Sequence, residues 1–277
     1  MKLKELIEKA YKERFGVAGF NVYNLESAKA VAQAADETGK PVLLMTTESA
    51  LEYAGFSQLV SIILRIKESS KTPLFLHFDH GTNVDLLKKA IKSGYDSVMF
   101  DGSKLPIDQN IVISKELRKY AHTRGVVFEA EIGRVGGEEE NIRSEEFKTN
   151  PSEALRFFDE VKPDMLAVAI GNIHGKETPA EHLDFSLLAK IQDLVKCPLV
   201  LHGCSNRDSR EYQVAISQGV VKINIDTELR EAFVDGIKRA LHKRETNPRE
   251  ILSYASDKIT KCATEKIETF LCSKLHC

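Results

Sequence analysis

The stretch VAGFNVYNLESAKAVAQAADETGKPVLLMT, residues 17–46, places one amphipathic segment between two short apolar runs. The runs at 17–22 and 41–46 are almost continuously apolar, which is typical of parallel strands that are covered on both faces. The segment between them has helical periodicity and ends in glycine, as helices commonly do. The stretch therefore predicts one strand–helix–strand unit.

This unit recurs to the end of the chain. Further strand candidates lie at 73–78, 96–100, 126–131, 164–170, 198–203 and 220–225, and amphipathic segments such as SQLVSIILRIKES and LDFSLLAKIQDLV lie between them. Eight strands alternating with helices over about 250 residues predict an α/β fold of the (β/α)8 TIM-barrel type. An open doubly wound sheet is the alternative, but it usually has fewer strands and a GxGxxG fingerprint, which is missing after FNVYN.

The domain organisation follows from this repeat. A chain of 277 residues with 42% hydrophobic content can bury one large core, so we expect a single domain over residues 1–277. The barrel should occupy about residues 15–245, with an N-terminal helix that caps its bottom. A C-terminal helical extension should follow at about 247–277, packed outside the barrel or against a partner subunit.

Composition excludes several classes of partner. The 39 basic residues nearly balance the 41 acidic residues, so no overall positive field would attract nucleic acid or an anionic membrane. No run of about 18 apolar residues and no apolar signal core is present, which favours a cytoplasmic protein that acts on a small molecule. The five cysteines form no CxxC pair, and the terminal group Cys272, His276 and Cys277 is a poor candidate for a metal site.

Two connections are longer than the others. Residues 132–150 form an acidic segment with glycine hinges, and residues 171–183 carry two histidines. Long loops within a compact repeat are usually functional or mobile. Because both follow strands, we expect both on the catalytic face of the barrel.

Polar side chains recur where the predicted strands end. In this architecture the active site is built from the C-terminal ends of the strands. Burial of a polar group without a partner costs about 1–3 kcal/mol, so a purely structural barrel would not repeat this pattern. The strand-end residues are Asn21, Thr46 and Thr47, Asp79 and His80, Asp101, Glu129 and Glu131, His174, His202 to Ser205, and Asn224 to Thr227.

Three histidines share one setting. His80, His174 and His202 each lie at or beyond a strand end, and each is followed by glycine, which allows close approach of the backbone. Three imidazoles converging from three strands resemble an open catalytic zinc site. A lone histidine is more often a hydrogen-bonded core residue, and this is the interpretation that we give to His77, inside the third strand.

The motifs FDHGT, SVMFDGS, GVVFEAEIGRVGGEEE, DMLAVAIGNIHG, PLVLHGCS and KINIDTELR occur in this order between about residues 15 and 235. Together they resemble the class II, zinc-dependent ketose-bisphosphate aldolases, the fructose- and tagatose-bisphosphate aldolase family. The resemblance implies a lyase of glycolysis and carbohydrate metabolism that cleaves a ketose 1,6-bisphosphate into dihydroxyacetone phosphate and glyceraldehyde 3-phosphate. It also implies a homodimer or homotetramer, because the family is commonly oligomeric.

The resemblance also assigns roles to residues. Zn²⁺ would be bound by His80, His174 and His202, with second-sphere or alternative metal roles for Asp101 and Glu131. Asp79 would exchange a proton with the oxygen of the aldehyde-derived carbon. Glu139 would remove a proton from dihydroxyacetone phosphate, although Glu138 and Glu140 are close enough to replace it in this assignment.

The remaining implied contacts hold the substrate. Its phosphate would be bound after strands seven and eight, as is usual in these barrels, and a monovalent cation, Na⁺ or K⁺, would lie beside it. The substrate-binding set is Asn21, Thr47, Gly175, Gly203, Cys204, Ser205, Asn224, Ile225, Asp226 and Thr227.

One departure from the family pattern concerns HGCSN at residues 202–206, where the family usually has a small residue before the serine and a glycine after it. Cys204 adds bulk before the serine. Asn206 replaces a glycine, which indicates a position with positive φ, and asparagine tolerates this conformation. The departure leaves the substrate open among fructose, tagatose and other phosphorylated ketoses.

Three other functions stay open. A Schiff-base aldolase would use Lys222, and a zinc barrel hydrolase would activate water but generally carries an HxH pair on its first strand, where this chain has GFNV. A non-catalytic regulatory subunit with the same fold is the third.

Overall fold

The computed structural model describes residues 1–139, 142–144, 148–175 and 182–271, with the backbone alone at 137–139 and 142–144. Its strands are β1 (Val17–Asn21), β2 (Val42–Thr46), β3 (Leu74–Gly81), β4 (Ser97–Phe100), β5 (Val127–Ile132), β6 (Gly136–Glu139), β7 (Ile142–Ser144), β8 (Met165–Val168), β9 (Ile173–His174), β10 (Leu199–Leu201) and β11 (Val220–Ile225). Eight of them close into a parallel barrel in the order β1-β11-β10-β8-β5-β4-β3-β2. The eight predicted strands are thereby confirmed, and so is the TIM-barrel fold class.

Helices alternate with the barrel strands. Within the described residues they are α1 (Leu3–Glu13), α2 (Leu25–Thr38), α3 (Glu48–Ala54), α4 (Phe56–Ser69), α5 (Val84–Lys92), α6 (Ile107–His122), α7 (Pro151–Val161), α8 (Phe185–Val195), α9 (Ser209–Ser217), α10 (Thr227–His242) and α11 (Pro248–Leu271). Side chains at the N-caps satisfy the first backbone amides of several of them, as Asn24 does for α2 and Asn150 for α7. Gly39 ends α2 in the left-handed conformation, as its sequence position indicated.

Two apolar clusters form the core. The larger one packs the outward faces of the strands against the surrounding helices, through residues such as Leu76, Phe78 and Phe128. The smaller one fills the lower interior of the barrel with residues such as Phe75 and Val127. Leu3, Leu6, Ile7 and Ala10 of α1 belong to the smaller cluster, so α1 closes the bottom of the barrel as predicted.

The C-terminal extension is a single long helix over its described part. Helix α11 packs against α2 and α10, outside the barrel, and Ala255, Ile259 and Phe270 are buried there. The predicted terminal group Cys272, His276 and Cys277 lies outside the described residues. Among the described helices, none combines the length and apolar character that a membrane span requires.

The two long connections are more regular than the sequence indicated. We expected loops at 132–150 and 171–183, but parts of both form strands of a second sheet, in the order β7-β6-β9. Strands β6 and β7 are antiparallel, and β9 joins β6 in parallel, with Gly137 opposite His174. The expectation failed because the pairing is between distant segments, and GGEE and IRS carry no strand pattern of their own.

Candidate active site

Three imidazole rings lie together at the C-terminal end of the barrel. The ring centroids of His80 and His202 are 4.4 Å apart, those of His80 and His174 are 5.2 Å apart, and those of His174 and His202 are 6.4 Å apart. His80 lies near the end of β3, His174 in β9, and His202 directly after β10. The structure therefore brings together the three histidines that the sequence analysis grouped.

The end of β3 carries two neighbouring site residues. Side chains alternate along a strand, so Asp79 points into the barrel with Phe75 and His77, while Phe78 packs outward. His80 would point outward by this rule, but it has a φ of 48°, in the left-handed region. The pairing of β3 with β4 shifts register between Phe78 and Gly81, so the irregularity directs His80 back to the site.

His174 and His202 are held against each other by the backbone. The amide of Ile173 donates a hydrogen bond to the carbonyl of Gly203 at 3.2 Å. Gly203 has a φ of 56°, and a Cβ atom there would lie 2.7 Å from the carbonyl carbon of Ile173. The amide side chain of Asn172 also donates to the carbonyl of His202 at 2.9 Å. The glycine after His202 is thus required by close packing of the two segments.

Carboxylates orient two of the rings from behind. His80 Nδ1 lies 3.2 Å from Asp101 Oδ2, and His202 Nε2 lies 2.9 Å from Glu129 Oε1. Because each carboxylate accepts a hydrogen bond from the ring N–H that it faces, the other nitrogen of each ring presents a lone pair. Those two nitrogens, His80 Nε2 and His202 Nδ1, are 2.6 Å apart. Two lone pairs that face each other are stabilised by a cation, so the chemistry of this donor set suits a metal ion.

The electrostatic setting favours the neutral forms of His174 and His202. Burial and the nearby His80 lower the pKa of both His174 and His202 well below the ordinary value. Burial opposes ionisation of Asp101, but its hydrogen bond with His80 and those from Ser103 prevail and lower the pKa of its carboxyl. Neutral imidazoles beside ionised carboxylates are the forms that bind metal ions.

Two groups of possible metal donors share His80. In the described residues, one ligand atom from each of Asp79, His80 and His202 lies within 4.8 Å of the others, and the same holds for His80, Asp101 and Glu131. His174 belongs to neither group, although its ring borders both other imidazoles. The second group coincides with the acidic residues that the sequence analysis placed near the metal.

Asp79 is almost fully buried and is held by two amides. Asn21 Nδ2 donates to Asp79 Oδ2 at 3.0 Å, and Asn224 Nδ2 donates to Asp79 Oδ1 at 2.8 Å. Burial alone would raise the pKa of Asp79, but the neighbouring His80 and His202 lower it, with help from Lys222 and Asn21. The amide oxygens of Asn21 and Asn224 are buried and accept no hydrogen bond from the part of the chain that the structure describes. They are therefore suited to accept hydrogen bonds from hydroxyl groups of a ligand.

A cleft opens beside these residues. Its lining consists of Asn21, Ile173, His174, Gly175, Gly203, Ser205, Asn224, Asp226, Thr227 and Arg230. Helix α10 begins at Thr227, so its N-terminus faces the cleft and favours a bound anion. Arg230 donates to Asp226 at 2.9 Å and adds a positive charge there. Arg230 was not expected from the sequence, because it lies in α10, beyond the strand ends where site residues were sought.

Three residues of the expected substrate-binding set lie apart from this lining. Thr47 is the N-cap of α3 and accepts a hydrogen bond from the amide of Ala50 at 3.2 Å. Cys204 and Ile225 are fully buried, and burial raises the pKa of the Cys204 thiol to about 12, so that it is an unreactive core group. Asn206 has a φ of 61°, as its place in HGCSN required.

The expected catalytic base lies in the small sheet. The backbone of Glu139 ends β6, which pairs with the strand of His174, but its side chain and that of Glu138 lie outside the described residues. Glu140 lies wholly outside them. Pairing of β6 with β9 places Gly137, two residues before Glu139, opposite His174.

Comparison with known proteins gives a consistent result. A family model described as fructose-bisphosphate aldolase class-II matches residues 1–274. A fructose-bisphosphate aldolase from Ureaplasma parvum is 39% identical over 280 residues, which cover 96% of this chain and 95% of the relative. The crystal structure of the YdjI aldolase from Escherichia coli K12 is similar, with a TM-score of 0.87, 29% identity and coverage of 97% of this chain and 96% of that one.

A fructose-bisphosphate aldolase from Campylobacter jejuni superposes with a TM-score of 0.84 over 98% of this chain and 94% of that one. Its identity is 24%, so this likeness bears on the fold alone.

Proposed function

The chain belongs to the class II fructose-bisphosphate aldolase family, and from this premise we propose a Zn²⁺-dependent, reversible cleavage of fructose 1,6-bisphosphate to dihydroxyacetone phosphate and glyceraldehyde 3-phosphate. The observation that carries the proposal is the meeting of three imidazole rings beside the buried Asp79, whose pKa is lowered, next to a cleft that the N-terminus of α10 faces. The relative from Ureaplasma parvum described above carries the same activity in its name.

The metal would be held by His80, His174 and His202. Bound there, Zn²⁺ supplies a Lewis acid that polarises the ketone and the adjacent hydroxyl of the substrate. The two facing lone pairs of His80 and His202 support this assignment. Asp101 and Glu131 would hold His80 in place or take part in an alternative metal position, in agreement with the second donor group.

The protein's own residues supply proton transfer and orientation. Asp79, fixed by Asn21 and Asn224, would exchange a proton with the oxygen of the aldehyde-derived carbon. Glu139 would remove a proton from dihydroxyacetone phosphate, brought close by the pairing of β6 with the strand of His174. Asn21, Asp79 and Asn224 are buried, and their burial would exclude water from the reacting carbon and so protect it from unwanted protonation.

Phosphate binding belongs to the cleft. The backbone of Gly203 and Ser205, the hydroxyl of Thr227 and the N-terminus of α10 would hold the phosphate of the dihydroxyacetone unit. A monovalent cation, Na⁺ or K⁺, beside this phosphate is part of the proposal, as is a cytoplasmic homodimer or homotetramer acting in glycolysis. These finer points rest on the family alone.

The Schiff-base mechanism is disfavoured by the position of Lys222. Its Nζ atom is fully buried and contacts both carboxylate oxygens of Glu129, at 3.0 and 2.8 Å. A nucleophilic lysine must instead be neutral and open to substrate. Borohydride trapping with substrate should therefore leave the protein unlabelled.

One experiment tests the proposal. Zinc content is measured by mass spectrometry on the purified protein, and cleavage of fructose 1,6-bisphosphate is followed before and after EDTA and after zinc is restored. We expect about one zinc per chain, loss of cleavage with EDTA and recovery with zinc. A metal-free, inactive protein would refute the aldolase mechanism and leave the non-catalytic subunit. Tagatose 1,6-bisphosphate and other phosphorylated ketoses, run in parallel, identify the preferred substrate.

A further inference from the structure

A closed group of buried polar side chains lies below the three metal-site rings. Glu129 of β5, Lys222 of β11, and His77 of β3 are each fully buried, and Ser97 at the start of β4 is buried beside them. None of the first three lines the cleft. The proposed reaction gives this group no chemical role, so its presence in the interior of the barrel requires another explanation.

The contacts of this group fix where its protons lie. Lys222 Nζ donates to Glu129 Oε1 at 3.0 Å and to Oε2 at 2.8 Å, and it lies 3.4 Å from His77 Nε2. Because a lysine ammonium only donates, His77 Nε2 must be the acceptor. His77 then carries its proton on Nδ1, which lies 2.7 Å from Ser97 Oγ. The three ammonium hydrogens of Lys222 and the ring hydrogen of His77 thus each have an acceptor, and the charges of Lys222 and Glu129 compensate each other.

The same reasoning sets the tautomer of His202. Glu129 Oε1 can only accept, so His202 Nε2, at 2.9 Å, carries the ring proton. On the opposite side of the ring, the amide nitrogen of Asn224 lies 3.3 Å from His202 Nδ1, and an amide nitrogen can only donate. Both neighbours require a proton on Nε2 and a lone pair on Nδ1. Nδ1 is also the atom that faces His80.

We propose that the buried pair Lys222–Glu129 is a positioning device that holds His202 in its Nε2–H tautomer, with Nδ1 open toward the metal, and so sets metal affinity from a distance. The inference rests on the proposed metal site. Lys222 holds both oxygens of Glu129, so the carboxylate keeps one orientation and cannot turn away from His202. Outer partners of metal-bound histidines typically change metal affinity by about 10–100-fold when they are removed.

Stability alone does not account for the buried pair Lys222–Glu129. Burial of two charges costs several kcal/mol per ion, on the order of what their attraction returns, and well-packed apolar residues in their place are often equally stable. The double variant Lys222→Met/Glu129→Leu makes this replacement. It removes both charges together, so that neither is left buried without its partner.

The test uses apoprotein of the full chain. Zinc affinity is measured by competition with a chromophoric chelator, and the His202 tautomer is read from imidazole ¹⁵N chemical shifts, assigned with a His202→Gln variant. In the wild type we expect the Nε2–H tautomer. In the double variant we expect a mixture of tautomers and a zinc affinity that is about 10–100-fold lower. Its urea midpoint of unfolding should differ from that of the wild type by no more than an ordinary core substitution causes.

Two controls separate this role from simple loss of a buried charge. Lys222→Met alone should lower zinc affinity similarly and also destabilise the fold, because Glu129 is left buried without compensation. Lys67→Met breaks a different lysine–carboxylate pair on the barrel, between Lys67 and Asp96. Asp96 accepts a hydrogen bond from the backbone amide of Leu76 and, among the described residues, contacts no histidine. This control should leave both tautomer and zinc affinity unchanged.

The outcomes are distinct. Wild-type tautomer and wild-type zinc affinity in a folded double variant would overturn the positioning role. Failure of the wild-type protein itself to bind zinc would instead refute the proposed function, whatever the variants do.

Discussion

Replacement of Gly203 by alanine should push apart the two segments that carry His174 and His202. A Cβ atom at this position would lie 2.7 Å from the carbonyl carbon of Ile173 and 2.9 Å from the amide nitrogen of His174. Ordinary carbon contacts are about 3.5–4.0 Å, so the backbone must move by about 1 Å. Both neighbours are backbone atoms, so no side-chain rotation can relieve the contact.

The magnitude has two parts. Gly203 has a φ of 56°, and the left-handed conformation costs a residue with a Cβ about 1–2 kcal/mol. Overpacking of a well-packed site costs about 1–3 kcal/mol more. A displacement of about 1 Å at a catalytic group can reduce turnover by about 100-fold. We therefore expect a clear loss of both the free energy of unfolding and kcat.

Gly39→Ala is the matched control. Gly39 has a φ of 64°, and a Cβ atom there would meet nothing within 4 Å. This variant carries the conformational cost alone, so it should lose about 1–2 kcal/mol and keep wild-type turnover. Urea unfolding and cleavage of fructose 1,6-bisphosphate are measured on both variants. Equal stability and equal kcat in the two would refute the claim that packing of Gly203 on β9 positions His174.

Three further predictions use the same assays. Asp79→Ala should reduce turnover by about 100-fold or more while zinc stays bound, because the carboxylate transfers a proton; loss of zinc would show that Asp79 is a ligand. His202→Ala should weaken zinc binding by more than about 100-fold, and unchanged zinc content would contradict the ligand assignment. Burial opposes ionisation of Asp36, but hydrogen bonds from Ser70 and Thr72 prevail and lower its pKa in the folded protein. The ionised carboxylate therefore stabilises the fold above the ordinary pKa of about 4, and this stabilisation is lost as pH falls through the lowered pKa. In urea unfolding measured as a function of pH, Asp36→Asn should reduce the decrease in the free energy of unfolding at acidic pH. An unchanged decrease would refute the role of Asp36.

The sequence predicted the barrel because its strands are buried on both faces. Runs such as VVKINI and PVLLMT are apolar over their whole length, which separates them from the amphipathic helices between them. The same reasoning overlooked β6, β7 and β9, because their pairing depends on the approach of two distant connections. It also did not indicate that Thr47 caps α3, since a threonine that caps a helix and one that faces a ligand look alike in sequence.

The pair Lys222–Glu129 shows a second limit of prediction from the sequence. A glutamate within VFEAEI and a lysine within VVKINI are both unexpected in strands that are otherwise apolar, and this signal could have linked them. Alternation along β11 would not have placed Lys222 inside, because Val221 already belongs to the inner apolar cluster. The pairing of β10 with β11 shifts register beside Val221, and this irregularity turns both residues inward.

The end of β3 depends on a similar irregularity. A regular strand would give Asp79 to the interior and His80 to the surrounding helices, so the two could not serve one reaction centre. The left-handed φ of His80 removes this conflict, and Gly81 must follow because a Cβ atom there would lie 2.9 Å from the carbonyl oxygen of Met99. The cost of the left-handed conformation is about 1–2 kcal/mol, which is small beside the contribution of a metal ligand to binding. The proposed proton carrier Asp79 and the proposed metal ligand His80 can therefore be neighbours in sequence, because the strand is irregular between them.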